Sequence, residues 1–428
     1  MDFGYDARTE QLRETLLDFM DEKVYPAEPV FAEQLEALDN RWAWTRAPIL
    51  AELRKQARAR GLWNLFLPGG HGAGLTNVQY APLAEITGRS AHLAPAALNC
   101  SAPDTGNMEV LAMFGTDEQK RRWLQPLLDG EIRSAFAMTE PDIASSDATN
   151  IRTRIEREDG RYVVNGRKWW ATGAMNPDAT IFIVMGKTDP SAERHRQQSM
   201  ILVPRDTSGV TVKRGMRVLG YDDHDHGGHA EVEFDAAAVP AENLIGGEGD
   251  GFAIAQARLG PGRIHHCMRA IGVAERAIEL LCARARSRVA FGRPLAEQGV
   301  IRDWIAESRV RLEQLRLLVL RTAWLMDTAG TKAAHGDIQA IKIATPRTVE
   351  WIVDKAIQVH GAGGLSQDFP LAAAFAAIRT LRIVDGPDEV HKDALARREL
   401  TRPAATGPTA GDDGSRATIP AAAPADPR

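Results

Sequence analysis

Three stretches of this chain hold residues whose types and spacing could do chemistry. The first is Ala135-Phe-Ala-Met-Thr-Glu-Pro-Asp-Ile-Ala-Ser-Ser-Asp147. It has little periodicity and ends in small polar residues, so it offers backbone N–H groups and hydroxyls to an anion or a polar ring. Taken alone, Thr139-Glu-Pro141 reads as a turn. The second is Val164-Asn-Gly-Arg-Lys-Trp-Trp-Ala-Thr-Gly-Ala174. Asn165-Gly166 is expected to turn the chain, with Trp169 and Trp170 following on opposite faces of a strand. Either both tryptophans are core aromatics, or one packs inward and the other lies against a planar cofactor. The third is Asp222, Asp223, His224, Asp225, His226 and His229. Carboxylate and imidazole suit a divalent ion, but this loop is glycine-containing and sits in a strand-rich region, so no metal site is expected. His265 and His266 are adjacent and point about a quarter-turn apart on a helix. They cannot form an i, i+4 metal pair and are expected to pack or hydrogen-bond.

The composition limits what can hold these residues. At roughly 100–200 residues per domain, 428 residues suggest two to four domains. The chain is 44% hydrophobic and 25% charged, enough for a large core without disulfide or metal. A net charge of −5 gives no support for a nucleic-acid partner. Cys100, Cys267 and Cys282 lie far apart, with no C-x-x-C pair, which fits a reducing compartment. The first residues are charged rather than apolar, and no stretch approaches the ~18 apolar residues of a membrane span. A cytoplasmic protein with no membrane partner is expected.

Helical spacing runs through Thr9 to Val24, Pro48 to Arg60 with a stop at Gly61, and Asp117 to Leu128 with Thr116 as cap and Gly130 as stop. Pro68 to Leu75 reads as a glycine-rich loop and lacks the ending of a phosphate-binding loop. From Ala135 to about Glu242 the texture changes to short alternating runs: Asn150 to Glu156, Arg161 to Val164, Thr180 to Met185, Met200 to Val203 and Ala230 to Phe234. Asp159-Gly160 supplies turn chemistry. Strands this close argue against a βαβ pattern, and no G-x-G-x-x-G sits between strand and helix. After Gly246-Gly-Glu-Gly-Asp-Gly251 the helical period returns over Phe252 to Val289, Ala296 to Ala329, Asp337 to His360 and Pro370 to Arg379, which suggests a four-helix bundle. Pro403 to Arg428 is rich in Ala, Pro, Gly and Thr and is expected to be a disordered tail. The divisions are therefore 1–134, 135–245, 246–402 and 403–428. Two helical domains flanking a β-domain create a groove at their junction, a common place for a large cofactor.

The two motif stretches together resemble the acyl-CoA dehydrogenase family, whose members carry a T-E-P-x(n)-S-D segment followed by N-G-x-K-x-W-I-T. The resemblance extends to Gly115-Thr-Asp-Glu-Gln-Lys120 with Trp123-Leu124, to Val239-Pro240 through Phe252, to Arg288-Val-Ala-Phe-Gly-Arg-Pro-Leu295 and to Gln358-Val-His-Gly-Ala-Gly-Gly364, covering about Thr9 to Thr401. It implies an α+β multidomain fold of N-terminal α-helical domain, central β-barrel and C-terminal four-helix bundle. FAD would bind between barrel and bundle.

Carried over by position, Met138 and Thr139 would face the flavin, and Ser146 would sit near the pyrophosphate or the CoA thioester end. Trp170 would pack on the isoalloxazine and Thr172 would bond near its N5 edge. Arg288 and Phe291, with the Gln358–Gly361 loop, would hold the adenosine-pyrophosphate half of an FAD in a neighbouring subunit, hence a homodimer or homotetramer. The usual family base is a glutamate, but the matching residue here is Asp385, in Arg382-Ile-Val-Asp-Gly-Pro-Asp-Glu-Val-His391. This is similar to the subgroup that uses aspartate and carries Gly260-Pro-Gly-Arg-Ile-His-His-Cys-Met-Arg269. Arg263, opening a helix, would stand beside the base and the substrate, and Gly386 would lie against the substrate. Asp388 and Glu389 are weaker alternatives as base, and Glu389 also falls at a cofactor-contacting position. The implied activity is FAD-dependent α,β-dehydrogenation of an acyl-CoA to a trans-2-enoyl-CoA, with electrons passing to an electron-transfer flavoprotein. The rival readings are an oxidase on the same fold and a non-catalytic flavoprotein scaffold.

Overall fold

The computed structural model describes residues 4–37 and 47–401, and the expected tail at 403–428 lies outside them. Two capping boxes set helix starts in the N-terminal third. Thr76 and Gln79 open the helix Asn77–Gly88, and Thr116 and Gln119 open the helical run ending at Leu128. Each satisfies two otherwise orphaned backbone donors reciprocally. The first helix, Ala7–Phe19, is capped by Asp6 and passes through a wider turn at Met20–Val24 into Tyr25–Glu36.

Strands occupy Arg133 to Ile245 in one eight-stranded sheet. Along its path lie Val210–Met216, His229–Pro240, Arg161–Thr172, Arg133–Ala137, Ala179–Lys187, Gln198–Pro204 and Leu244–Ile245. Arg154–Glu158 pairs with both Arg161–Thr172 and Ala179–Lys187, closing a small ring of strands. Its interior is packed by Val164, Val184, Ile201, Val232, Phe182 and Phe234, the two rings meeting edge-on at 6.0 Å. Asp159-Gly160 makes the expected hairpin turn, with φ of 46° and 79°. Asn165-Gly166 does not turn the chain. It lies inside Arg161–Thr172 as an irregularity in the pairing with His229–Pro240. Asn165 Oδ1 accepts from Ala236 N at 2.8 Å, and a Cβ on Gly166 would overlap Thr153. The pair therefore serves a bulge and a close approach rather than a reversal.

The C-terminal region has three long helices, Gly251–Ser287, Gly299–Ala333 and His335–His360, and two short ones, Leu371–Thr380 and Asp388–Leu400. Among the described residues these form the expected C-terminal helical domain, and Asp388–Leu400 is additional to the four helical segments read from the sequence. Arg263 lies well inside Gly251–Ser287 and does not open it. The glycines around it are accommodated because the helix is fixed by packing rather than by propensity. Where it crosses Asn77–Gly88, Gly88 meets the Arg269 backbone and Gly272 meets that of Glu85, so closely that a Cβ on either would overlap. This contact fixes the height of Arg263, His265 and His266 against the N-terminal domain. One apolar core runs through both helical regions, from Phe19 and Leu83 to Ile271, Leu312 and Ile352.

Candidate active site

Asp385 sits in the turn between Leu371–Thr380 and Asp388–Leu400, with φ of 56°, and Gly386 follows at 108°. A non-glycine residue in the left-handed region costs free energy and persists where its surroundings hold it. Those surroundings act mainly on carbonyl oxygens. Arg263 Nε donates to Asp385 O at 3.1 Å. Lys342 Nζ, almost fully buried, donates to Leu381 O and Gly386 O. Behind the turn His391 is buried, donating from Nδ1 to Gln339 Oε1. Burial, then the charges of Arg263 and Lys342, push its imidazole down to about 4, so it is neutral.

The Asp385 carboxylate meets His266 Nε2 at 3.7 Å. Arg269 Nη2 faces His266 Nδ1 at 3.3 Å, which leaves Nδ1 as acceptor and puts the hydrogen on Nε2, toward Asp385. Burial, with Arg269 and His226 adding to it, holds His266 well below the ordinary imidazole range. A neutral donor therefore stands against the base. His265 faces away, edge-on to Tyr80 at 5.0 Å, and burial pushes it down to about 3. Glu109 lies 4.0 Å from it, and burial pushes that carboxyl up to about 8.

The alternative bases are occupied elsewhere. Asp388 is buried and accepts from Arg382 Nε at 3.0 Å and Arg347 Nε at 3.2 Å. The Glu389 side chain is 76% exposed and stands 3.7 Å from Lys392.

On the β-domain side, Trp169 N donates to Thr139 O at 3.0 Å, joining the two motif stretches. Beneath them Lys168 Nζ donates to Met138 O at 2.9 Å and Glu140 Oε1 at 2.8 Å, with Glu140 also accepting from the backbone N–H of Arg152 and Thr153. Burial pulls the ammonium down to about 8, partly offset by Glu140. Trp170 has φ of 50° in a second irregularity of the strand and is 38% exposed. Its ring packs on His229 at 5.4 Å, and Thr172 Oγ1 lies 3.1 Å from His229 Nδ1. Ser146 is exposed at the rim. An exposed indole, a hydroxyl and a pinned backbone strip suit a planar, polar-edged ring such as a flavin.

The structure does not bring Arg288, Phe291, Gln358 and Gly361 to this place. Arg288 ends the long helix, about 33 Å of helix beyond His266 at 1.5 Å per residue. Phe291 there is 98% exposed in a small hairpin. Gln358 lies in the last turn of His335–His360 and Gly361 follows it; burial, with the charge of Arg284 one turn before Arg288 adding to it, depresses the His360 imidazole, so this stretch shares that end.

Comparison with known proteins identifies the family. Profiles of the acyl-CoA dehydrogenase N-terminal, middle and C-terminal domains match residues 6–131, 135–237 and 249–400. The chain belongs to the acyl-CoA dehydrogenase family. It is 55% identical to the protein named "Probable acyl-CoA dehydrogenase FadE2" of Mycobacterium tuberculosis, over 95% of this chain and 98% of that one. It is 53% identical to acyl-CoA dehydrogenase family member 10 of Mus musculus, over 93% of this chain, but spans only 37% of that relative's length. A solved structure from Mycobacterium abscessus, provisionally assigned as an acyl-CoA dehydrogenase, superposes with a TM-score of 0.90 at 51% identity, covering 93% and 99% of the two chains. Butyryl-CoA dehydrogenase of Megasphaera elsdenii superposes at 0.78 with 26% identity, covering 94% of this chain and all of that one. This acyl-CoA dehydrogenase family member is accordingly an oxidoreductase, with the helical, sheet and helical order that the sequence resemblance implies.

Sequence reasoning missed His266, Asp223 and His229 as members of the site. The dense Asp/His loop was the available signal, and Asp223 turns out to be engaged by His226 and His229.

Proposed function

We propose that the protein removes hydrogen across Cα–Cβ of an acyl-CoA thioester, giving a trans-2-enoyl-CoA, with Asp385 as general base and FAD as cofactor. The observation that carries this reading is the Asp385 carboxylate on a carbonyl-anchored turn, facing the neutral N–H of His266. FAD, when bound, supplies the hydride acceptor. The chain's own residues do the rest. Met138, Thr139, Trp170 and Thr172 hold the ring, and Ser146 lies toward the phosphate or thioester end. The backbone N–H of Asp385 faces the thioester oxygen, where it stabilises the charge that develops as the α-proton leaves. Asp385 takes that proton, and Arg263 and Gly386 shape the turn against the substrate.

Arg288, Phe291, Gln358 and Gly361 are assigned to a cofactor held by a second copy, because Arg288 and Phe291 lie about 33 Å of helix beyond His266 at 1.5 Å per residue and Gln358 and Gly361 share that end. A homodimer or homotetramer follows. Electron-transfer flavoprotein is the proposed recipient of electrons and fatty-acid β-oxidation the proposed setting. The free thiols of Cys100, Cys267 and Cys282 support a cytoplasmic location.

The test is an anaerobic titration of the purified protein with a panel of acyl-CoAs, following bleaching of the flavin. No bleaching with any of them overturns the reading. Oxygen uptake during turnover would replace the dehydrogenase with an oxidase.

A further inference from the structure

Arg258 precedes Gly262 by one turn on the same face of Gly251–Ser287, about 6 Å along the axis at 1.5 Å per residue. Gly262 faces the base, a Cβ there falling 3.8 Å from Asp385 Oδ2. Arg258 is half-buried and lays its guanidinium over the ring of Phe136, with Cζ 3.9 Å from the centroid. Phe136 stands two residues before Met138 in the first motif stretch. The N-terminal domain supplies the remaining contacts. Asn107 Oδ1 accepts from Arg258 Nε at 3.3 Å. Gly106, inside the helix Asp104–Phe114, would put a Cβ 3.0 Å from Cζ and Nε. A glycine within a helix costs stability relative to alanine, and here it leaves the space that the guanidinium fills. Stacking on Phe136 and the Nε bond fix the plane of the fork. Nη1 and Nη2 have no hydrogen-bond partner among the described residues.

No anion answers this cation. Arg258, Arg263, Arg269 and Lys342 gather round the Asp385 turn, and among the described residues none of the four forms an ion pair; each meets neutral acceptors. Burial opposes the charge of Arg258, with Asp385 and then Glu109 pulling the other way. Glu109 is no counter-ion at neutral pH, because burial pushes its carboxyl up to about 8. Asp388, which Lys342 also senses, is already taken by Arg382 and Arg347. Charges withdrawn from water are normally paired, and a planar guanidinium matches a carboxylate through two parallel bonds. The phosphates of CoA belong at the exposed rim near Ser146, whereas Arg258 stands beside the base.

We propose that Arg258 recognises a carboxylate at the far end of the acyl chain, so that the substrate is the CoA thioester of a short dicarboxylic acid. This rests on the assignment of Asp385 as base in the proposed function. One helical turn separates the two contacts, which keeps the chain between Cα and the carboxylate short. The carboxylate is bound and not consumed. The α-proton goes to Asp385, the β-hydrogen leaves with two electrons for the cofactor, and the product is a trans-2-enoyl-CoA that keeps its terminal carboxylate.

The experiment follows anaerobic bleaching of the FAD-loaded protein with succinyl-, glutaryl- and adipyl-CoA. Each is set against the neutral acyl-CoA of equal length (butyryl-, pentanoyl- and hexanoyl-CoA) and against the ω-hydroxyacyl-CoA of that length. At least one dicarboxylic thioester should exceed its neutral counterpart in kcat/KM by about 10–100-fold, the range expected of hydrogen bonds to a charged partner. Arg258→Met should erase that preference, with the loss falling mainly on KM. Gly106→Ala, which displaces the guanidinium without removing it, should weaken the preference and serves if the first variant misfolds. No preference for any dicarboxylic chain overturns the inference, as does a preference that survives both substitutions. An equal fall in kcat for charged and neutral chains in Arg258→Met also overturns it, by making the arginine a general source of field. Equal turnover of the ω-hydroxyacyl-CoA would overturn it by giving the fork a neutral acceptor. If neutral acyl-CoAs bleach the flavin and dicarboxylic ones do not, this inference alone is wrong. If no acyl-CoA bleaches it, the functional reading fails with it.

Discussion

Lys168 Nζ, with no exposed surface, donates to the carbonyl oxygen of Met138 at 2.9 Å and so ties the second motif stretch to the first from underneath. Lys168→Met would leave Glu140 charged and buried without its ammonium partner. Breaking such a pair costs about 3–5 kcal/mol, and urea unfolding should show a loss of that order together with poorer FAD retention. The fold holds this proton less tightly, at about 8 against 10.5, so the unfolded chain binds more protons between those values. Stability from this group therefore rises with pH across that window. The variant should lose that rise, and an unchanged pH slope would contradict the buried-pair account.

Asp385→Asn should keep the fold and bound FAD while slowing anaerobic flavin bleaching by about 10²–10⁴-fold, since an amide cannot take the α-proton. Asp385→Glu should retain part of the activity with a changed chain-length preference. Asp388→Asn should behave in the opposite way, because its partners Arg382 and Arg347 are structural. It should lower the melting temperature while the surviving protein bleaches at close to the wild-type rate. If instead Asp388→Asn abolishes bleaching and Asp385→Asn does not, the base has been misassigned.

Burial pushes the Glu109 carboxyl up to about 8, against the pull of Arg258 and Arg269, and its Oε2 has no partner. The folded chain keeps a proton that the unfolded chain gives up above about 4.5, so stability from this group falls as pH rises through that window. Glu109→Gln should remove the fall. Its melting temperature relative to wild type should rise steadily from pH 5 to pH 8, and a constant difference would count against the buried acid.

Gly386→Ala places a methyl group 2.8 Å from His391 Nε2 on a backbone with φ of 108°. Strain of this kind costs about 1–3 kcal/mol. Because the turn carries the base, the bleaching rate should fall with stability, and the further substitution His391→Ala should recover part of both. No recovery would separate the clash from the loss.

Arg288→Ala should reduce FAD occupancy after dialysis more than it reduces the rate per bound flavin. Sedimentation should show that the wild type is not a monomer. A fully loaded monomer would contradict the assignment of Arg288 to a neighbouring subunit.

Much of this was legible in the sequence because helix periodicity, the Thr116 cap and the Asp159-Gly160 turn are local signals. Asn165-Gly166 misled because its purpose is set by Thr153, distant in sequence and opposite in space. Taking Arg263 as a helix start conflicts with the helical period expected from Phe252 to Val289, and it is the period that holds, with packing at Gly88 and Gly272 carrying the helix through. The closing of the strand ring depends on Arg154–Glu158 pairing on both sides, which no single run of residues reveals. The Asp388–Leu400 helix is polar and weakly periodic, though its acidic first turn and basic last turn were a usable signal. His266 and His229 had no spacing signature, since each acts through a partner brought by another element.

The turn that carries Asp385 is gripped by its carbonyl oxygens, through Arg263 and Lys342. Every amino acid offers the same carbonyl. Position 385 therefore works as a socket that grips the backbone at a φ of 56°, and acids of different reach can be exchanged in it wherever that grip offsets the cost of the left-handed conformation. Divergence in what such a protein accepts can then proceed one side chain at a time, with no need to rebuild the support.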